Sequence, residues 1–107
     1  MLSTHVLDTS RGMPAGGVEV VLFRSAKART EVGRARTDAN GRIKEFDGAV
    51  EAGWYELVFF VAPYFAGTGA PAFYDEITIR FRIDAGEEHY HVPLLVSPWG
   101  YTTYRGG

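Results

Sequence analysis

In Ile77-Thr78-Ile79-Arg80-Phe81-Arg82-Ile83 every second residue is apolar, and that strict alternation limits what the chain can become more than any other feature. Successive side chains of a strand point to opposite faces, so Ile77, Ile79, Phe81 and Ile83 share one face while Thr78, Arg80 and Arg82 share the other. The same period runs through Val18, Val20 and Leu22 against Glu19, Val21 and Phe23. Trp54-Tyr55-Glu56-Leu57-Val58-Phe59-Phe60-Val61 is rich in aromatic and β-branched residues, the composition of a well-buried strand. Turn residues separate these runs: Gly12-Met13-Pro14-Ala15-Gly16-Gly17, the tight turn Asp38-Ala39-Asn40-Gly41, and further breaks at Asp47-Gly48, Ala52-Gly53 and Asp84-Ala85-Gly86-Glu87. The pattern predicts strands near 3–8, 18–24, 31–37, 41–44, 54–61, 75–83, 88–96 and 100–105, with room for one short helical turn between Pro63 and Pro71. Short strands at regular spacing make an all-β, two-sheet sandwich of seven or eight strands with at most one short helix.

With 107 residues the chain has the length of one domain, residues 1–107. A net charge of −2 gives no electrostatic footprint for nucleic acid. Because there is no cysteine, disulfides, thiolate catalysis and cysteine-ligated zinc are excluded. The longest apolar run, Leu57 to Ala62, falls far short of the roughly 20 residues of a membrane-spanning helix. Met1 leads directly into strand-like sequence without the pattern of a signal peptide, so the expectation is a cytoplasmic protein with neither membrane nor nucleic-acid partner.

The three histidines stand at positions 5, 89 and 91. On one strand, His89 and His91 project to the same side. Two readings of that pair stand: an exposed polar face, or part of a zinc or copper site completed by His5 with Asp8 or Glu88. No Gly-x-Ser-x-Gly, glycine-rich phosphate loop or helix-borne carboxylate pair is present. The residues alone lead to a β-sandwich with a histidine-bearing strand.

Three segments add a resemblance. Thr4-His5-Val6-Leu7-Asp8-Thr9-Ser10-Arg11-Gly12-Met13-Pro14-Ala15, the turn Thr37-Asp38-Ala39-Asn40-Gly41-Arg42, and His89-Tyr90-His91-Val92-Pro93-Leu94-Leu95-Val96-Ser97-Pro98-Trp99-Gly100-Tyr101-Thr102-Thr103-Tyr104-Arg105-Gly106 resemble, in order, the signatures of the transthyretin-related family. The resemblance spans essentially the whole chain and implies a transthyretin-like sandwich. Family members divide into hydrolases and hormone carriers, and His5, Arg42, His91 and Tyr104 resemble the hydrolase pattern.

For this chain the resemblance implies hydrolysis of 5-hydroxyisourate, in urate breakdown, without metal or cofactor. It also implies a homotetramer whose inter-dimer channel holds the sites. His5, Arg42 and His91 would be catalytic: imidazoles exchange protons near neutral pH, and a guanidinium offers a planar fork of donors to a developing oxyanion. All three, with Tyr104, would also hold the substrate, and His89 is a weaker candidate. A carrier without catalysis and a histidine-based metal protein are the competing readings. The family usually ends Tyr-Arg-Gly-Ser where this chain has Tyr104-Arg105-Gly106-Gly107, so a role for a terminal serine hydroxyl is in doubt here.

Overall fold

One strand organises the first sheet. In the computed structural model of the chain, which describes residues 1–46, 51–86 and 89–107, β1 (Leu2–Asp8) pairs with four other strands. It runs antiparallel to β2 (Met13–Pro14) and β5 (Arg42–Ile43), and parallel to β8 (Tyr90–His91) and β9 (Leu94–Val96). The last strand, β10 (Tyr101–Thr103), adds to β9 at the edge. A second sheet has the order β4-β3-β6-β7, built from β3 (Glu19–Ser25), β4 (Arg29–Arg36), β6 (Gly53–Phe60) and β7 (Ile77–Ile83), antiparallel throughout.

The expected alternation is what brings the two sheets together. Leu2 and Val6 of β1 and Leu94 and Val96 of β9 face Val20 and Leu22 of β3 and Tyr55, Leu57 and Phe59 of β6, all but fully buried. Of the predicted apolar face of β7, Ile77 and Ile83 are buried and Ile79 and Phe81 pack against the core as half-buried residues.

Three details differ from the sequence-based expectation. The segment expected as one strand over 88–96 is two strands, β8 and β9, broken at Val92-Pro93. Proline has no N–H to give to a ladder, so pairing stops there and resumes at Leu94. Glu88 lies outside the described residues, and His89 precedes β8 rather than sharing a strand with His91. Second, the Gly12–Gly17 turn contains the two-residue strand β2. The Asp47-Gly48 break lies outside the described residues, as does Glu87 of the Asp84–Glu87 break. Third, the irregular stretch is a helix of two turns, α1 (Val61–Thr68), which follows β6 directly and is closed by Gly69 in the left-handed conformation. Val61 and Phe65, four residues apart on one side of α1, are buried in the core. No helix among the described residues is long and apolar enough to cross a membrane.

The inward end of β1 carries a carboxylate. Asp8 is fully buried, and its oxygens accept hydrogen bonds from the Ser10 amide (3.0 Å) and hydroxyl (2.6 Å), the Arg11 amide (3.3 Å) and the Tyr64 hydroxyl of α1 (2.8 Å). Burial by itself raises a carboxyl pKa, but these donors outweigh it and hold Asp8 below its ordinary value. A depressed folded-state pKa contributes stability that is present above the unfolded value and is lost as pH falls through the folded one. Asp8→Ala, which orphans the Tyr64 hydroxyl and two amides, is therefore expected to cost about 2–3 kcal/mol at neutral pH. Urea denaturation checks it: the gap between wild type and variant should narrow as pH drops below about 4, and a gap independent of pH would contradict the network.

Candidate active site

Residues two apart on a strand share a face, and cross-strand partners share it too. On β1 the outward residues are Ser3, His5 and Leu7, since Leu2, Thr4, Val6 and Asp8 are buried. The register sets His91 of β8 directly opposite Ser3, and Arg42 of β5 directly opposite His5. Three residues far apart in sequence, His5, Arg42 and His91, are thus brought to one outer sheet face by pairing to a single strand.

Each is held there by local chemistry. Arg42 follows the predicted tight turn, in which the Gly41 amide donates to the Asp38 carbonyl at 2.9 Å and the Asp38 amide to the Arg42 carbonyl at 2.9 Å. The Asp38 carboxylate also accepts from the Arg42 (3.0 Å) and Asn40 (2.9 Å) amides, and those bonds, the Arg42 one foremost, hold its pKa below the ordinary value. Gly41 has φ +75°, and a side chain there would collide with the Val6 carbonyl, so only glycine lets the turn lie against β1. The turn also aims the Asn40 carbonyl at His5, whose Nε2 sits 2.9 Å away. A carbonyl only accepts, so that nitrogen carries the proton.

His91 is half-buried, and its Nδ1 lies 2.8 Å from the Ser3 hydroxyl oxygen. Burial first, then the neighbouring Arg42 and His5 charges, lower its pKa below the ordinary histidine value, against a smaller opposing effect of Ser3. His91 is therefore neutral at neutral pH. Beneath its ring runs the C-terminal tail: the Gly106 amide donates to the His91 carbonyl at 2.7 Å. A Cβ on Gly106 would overlap the His91 ring carbon Cδ2, so the tail lies this close only because residue 106 has no side chain. Arg105 anchors the tail from the other side, its guanidinium 4.6 Å from the Tyr90 ring centroid.

These groups border a cleft of about 370 Å³ whose walls include Ser3, Arg42, Lys44, His89, His91 and Gly106. His5 stands beside it across from Arg42. Tyr104 is not brought to this cleft within one protomer: it is 58% exposed and lines a separate hollow with Phe81, Arg82 and Tyr90. Asp8, proposed as a metal ligand beside His5, points to the opposite, buried face of β1 and cannot converge with it. Among the described residues no group of three or more histidine and carboxylate side chains is gathered as a metal cluster. Three contributors escaped the sequence reading: Ser3, the Asn40 carbonyl and Gly106. Ser3 alone left a signal, two residues before His5 on one strand.

With that geometry in place, the family comparison decides the lineage. The model of the HIUase/Transthyretin family matches residues 2–106. The chain belongs to the HIUase/Transthyretin family. Within that family, the 5-hydroxyisourate hydrolase of Deinococcus radiodurans is 48% identical over 112 residues, covering 98% of this chain and 94% of the relative. The solved 5-hydroxyisourate hydrolase of Klebsiella pneumoniae superposes with TM-score 0.88 at 39% identity, covering 99% of this chain and 98% of that one. Sea bream transthyretin in complex with thyroxine superposes equally well, TM-score 0.90, but at 29% identity over 98% of this chain and 93% of its own. Backbone shape therefore does not separate the two branches of the HIUase/Transthyretin family; the side chains on the β1 face have to.

The contact between tail and ring is open to test. Gly106→Ala should destabilise the protein by about 1–3 kcal/mol, the usual cost of forcing extra volume into a packed site, and should shift the His91 ring resonances. Unchanged stability together with an unchanged His91 spectrum would show that the tail does not lie against the imidazole.

Proposed function

We propose that this chain, as one domain spanning residues 1–107, hydrolyses 5-hydroxyisourate, opening its ring to 2-oxo-4-hydroxy-4-carboxy-5-ureidoimidazoline without a metal or cofactor. The observation that carries the reading is the convergence of His5, Arg42 and His91 on one sheet face around a cleft. A planar, carbonyl-rich ring suits a cleft bordered by a guanidinium fork and imidazoles.

The two histidines are prepared differently. The distal nitrogen of His5 is engaged by the Asn40 carbonyl, whereas His91 is engaged at its proximal nitrogen, leaving the distal Nε2 for the cleft. His91 is also held below the ordinary histidine value by burial and the neighbouring Arg42, which keeps it neutral and fits it to act as general base. In this assignment His91 Nε2 takes a proton from water as the oxygen attacks C6 of the substrate. Arg42 donates to the oxygen on which negative charge gathers. The N1–C6 bond then breaks, N1 leaves with the proton returned by His91, and C6 remains bonded to C5 as a carboxyl group. His5, fixed as the Nε2–H tautomer, orients the ring or the water.

The protein is proposed to work as a homotetramer. The cleft lies on the open outer face of a sheet, where half-buried Leu7 and Leu95 pair beside it and offer apolar surface to a facing copy. Tyr104, turned away from the cleft of its own protomer, would take part in substrate binding through that assembly. The apolar pair favours a subunit interface over a solvent-facing sheet, and light scattering checks it: a fully active monomer would contradict the tetramer.

Loss of 5-hydroxyisourate absorbance is the direct assay. Rapid decay with and without chelator is expected, together with a loss of about 10²–10⁴-fold for His91→Asn, the usual worth of positioned proton transfer. Because His91 must be neutral to accept a proton and its pKa is lowered, activity should fall with acid only below the ordinary histidine value of about 6.5. No decay in either condition would favour a carrier, and decay abolished by chelator a metal-dependent site.

A further inference from the structure

The hydroxyl of Ser3 is not needed to hold the sheet together. The backbone of Ser3 makes the β1–β8 pairing, its carbonyl accepting the Val92 amide at 3.0 Å, while its side chain points outward to His91. Resting on the proposed hydrolysis, we infer that Ser3 is a positioning residue: its hydroxyl oxygen accepts the Nδ1 proton of His91 and thereby keeps the lone pair of that imidazole on Nε2, facing the cleft.

A neutral imidazole carries one proton and one lone pair, and the two tautomers exchange freely unless a neighbour selects one. For His5 the selection is made by the Asn40 carbonyl, which accepts only. Among the described residues the side-chain hydrogen bond at Nδ1 of His91 is the one to the Ser3 hydroxyl oxygen at 2.8 Å, while the Ser3 carbonyl, which also acts on the ring, is taken up by the Val92 amide. With Nδ1 as donor, Nε2 is a base; with the hydroxyl as donor, Nε2 is an acid and cannot take a proton from water. The surroundings of His91 do not make this choice. Arg42 and Lys44 from β5 and its end, His5 from β1, His89 and Tyr90 from around β8, and the two chain termini at Met1 and Gly107 are the titratable groups that border the same cleft or act on the ring, and the side-chain hydrogen bond at Nδ1 is the one to Ser3. The Gly106 tail packs against the Cδ2 edge of the ring and restrains its tilt, but offers Nδ1 no acceptor.

A Ser3→Ala variant keeps the strand and removes only the acceptor, so the imidazole should relax to the Nε2–H form that free histidine prefers. We expect kcat to fall about three- to tenfold, the range of one neutral hydrogen bond, with KM within about twofold because the hydroxyl serves His91 rather than the substrate. Ser3→Thr, which restores a hydroxyl on a β-favouring side chain, should recover both kcat and the tautomer. Nitrogen-15 NMR of the His91 ring, recorded without substrate, reads the tautomer directly: Nδ1 protonated in the wild type and Ser3→Thr, Nε2 protonated in Ser3→Ala. An unchanged tautomer in Ser3→Ala, an unchanged kcat, or a loss confined to KM would each overturn the assignment. If the wild type leaves 5-hydroxyisourate untouched, the hydrolase reading fails, while the tautomer measurement still decides whether Ser3 governs His91.

Discussion

Everything in the site depends on the register of β1. A strand presents alternate residues to opposite faces, so sliding β1 by one position against its partners would exchange the two faces completely. Leu2 and Val6 would leave the core, and His5 would be forced into it. Burial of two large aliphatic side chains, at roughly 1.5–3 kcal/mol each, thus fixes the register of the candidate site at the same time as it fixes the fold. Ser3 opposite His91 and His5 opposite Arg42 follow from the same pairing.

Buried polar groups tie the segments carrying the site to that strand. The Thr4 hydroxyl donates to the Val92 carbonyl at 2.6 Å, one residue beyond His91. The Thr37 hydroxyl donates to the Ala15 carbonyl at 2.7 Å and accepts the Val18 amide at 2.9 Å, setting the start of the turn that delivers Arg42. Asp8 clamps the far end of β1 to α1 through Tyr64. Among the described residues no buried side-chain polar atom lacks a partner, so the site is mounted on a frame in which misplacing a segment would leave a buried group unsatisfied.

Period-2 patterning was enough to locate the long strands, because both sheets bury one face and the apolar residues had to alternate. It could not show where pairing would stop: the break between β8 and β9 turns on Pro93, and β2 is a two-residue strand inside what composition marks as a turn. His5, Arg42 and His91 were readable from motifs, but their convergence depends on pairings between residues 37 and 88 positions apart. Ser3 left only its spacing from His5 as a signal, and Gly106 none. The one matters through a hydrogen bond across strands, the other through the absence of a side chain beside an imidazole.

The central claim is that one face of β1 assembles His5, Arg42 and His91 into a single hydrolytic unit. A double-mutant cycle on 5-hydroxyisourate turnover tests it most directly, using His91→Asn, Arg42→Ala and the pair. Groups that act on one transition state are not independent, so the double variant should be only slightly slower than the worse single variant. Losses that multiply in full would mean that Arg42 and His91 act separately, and would contradict the account.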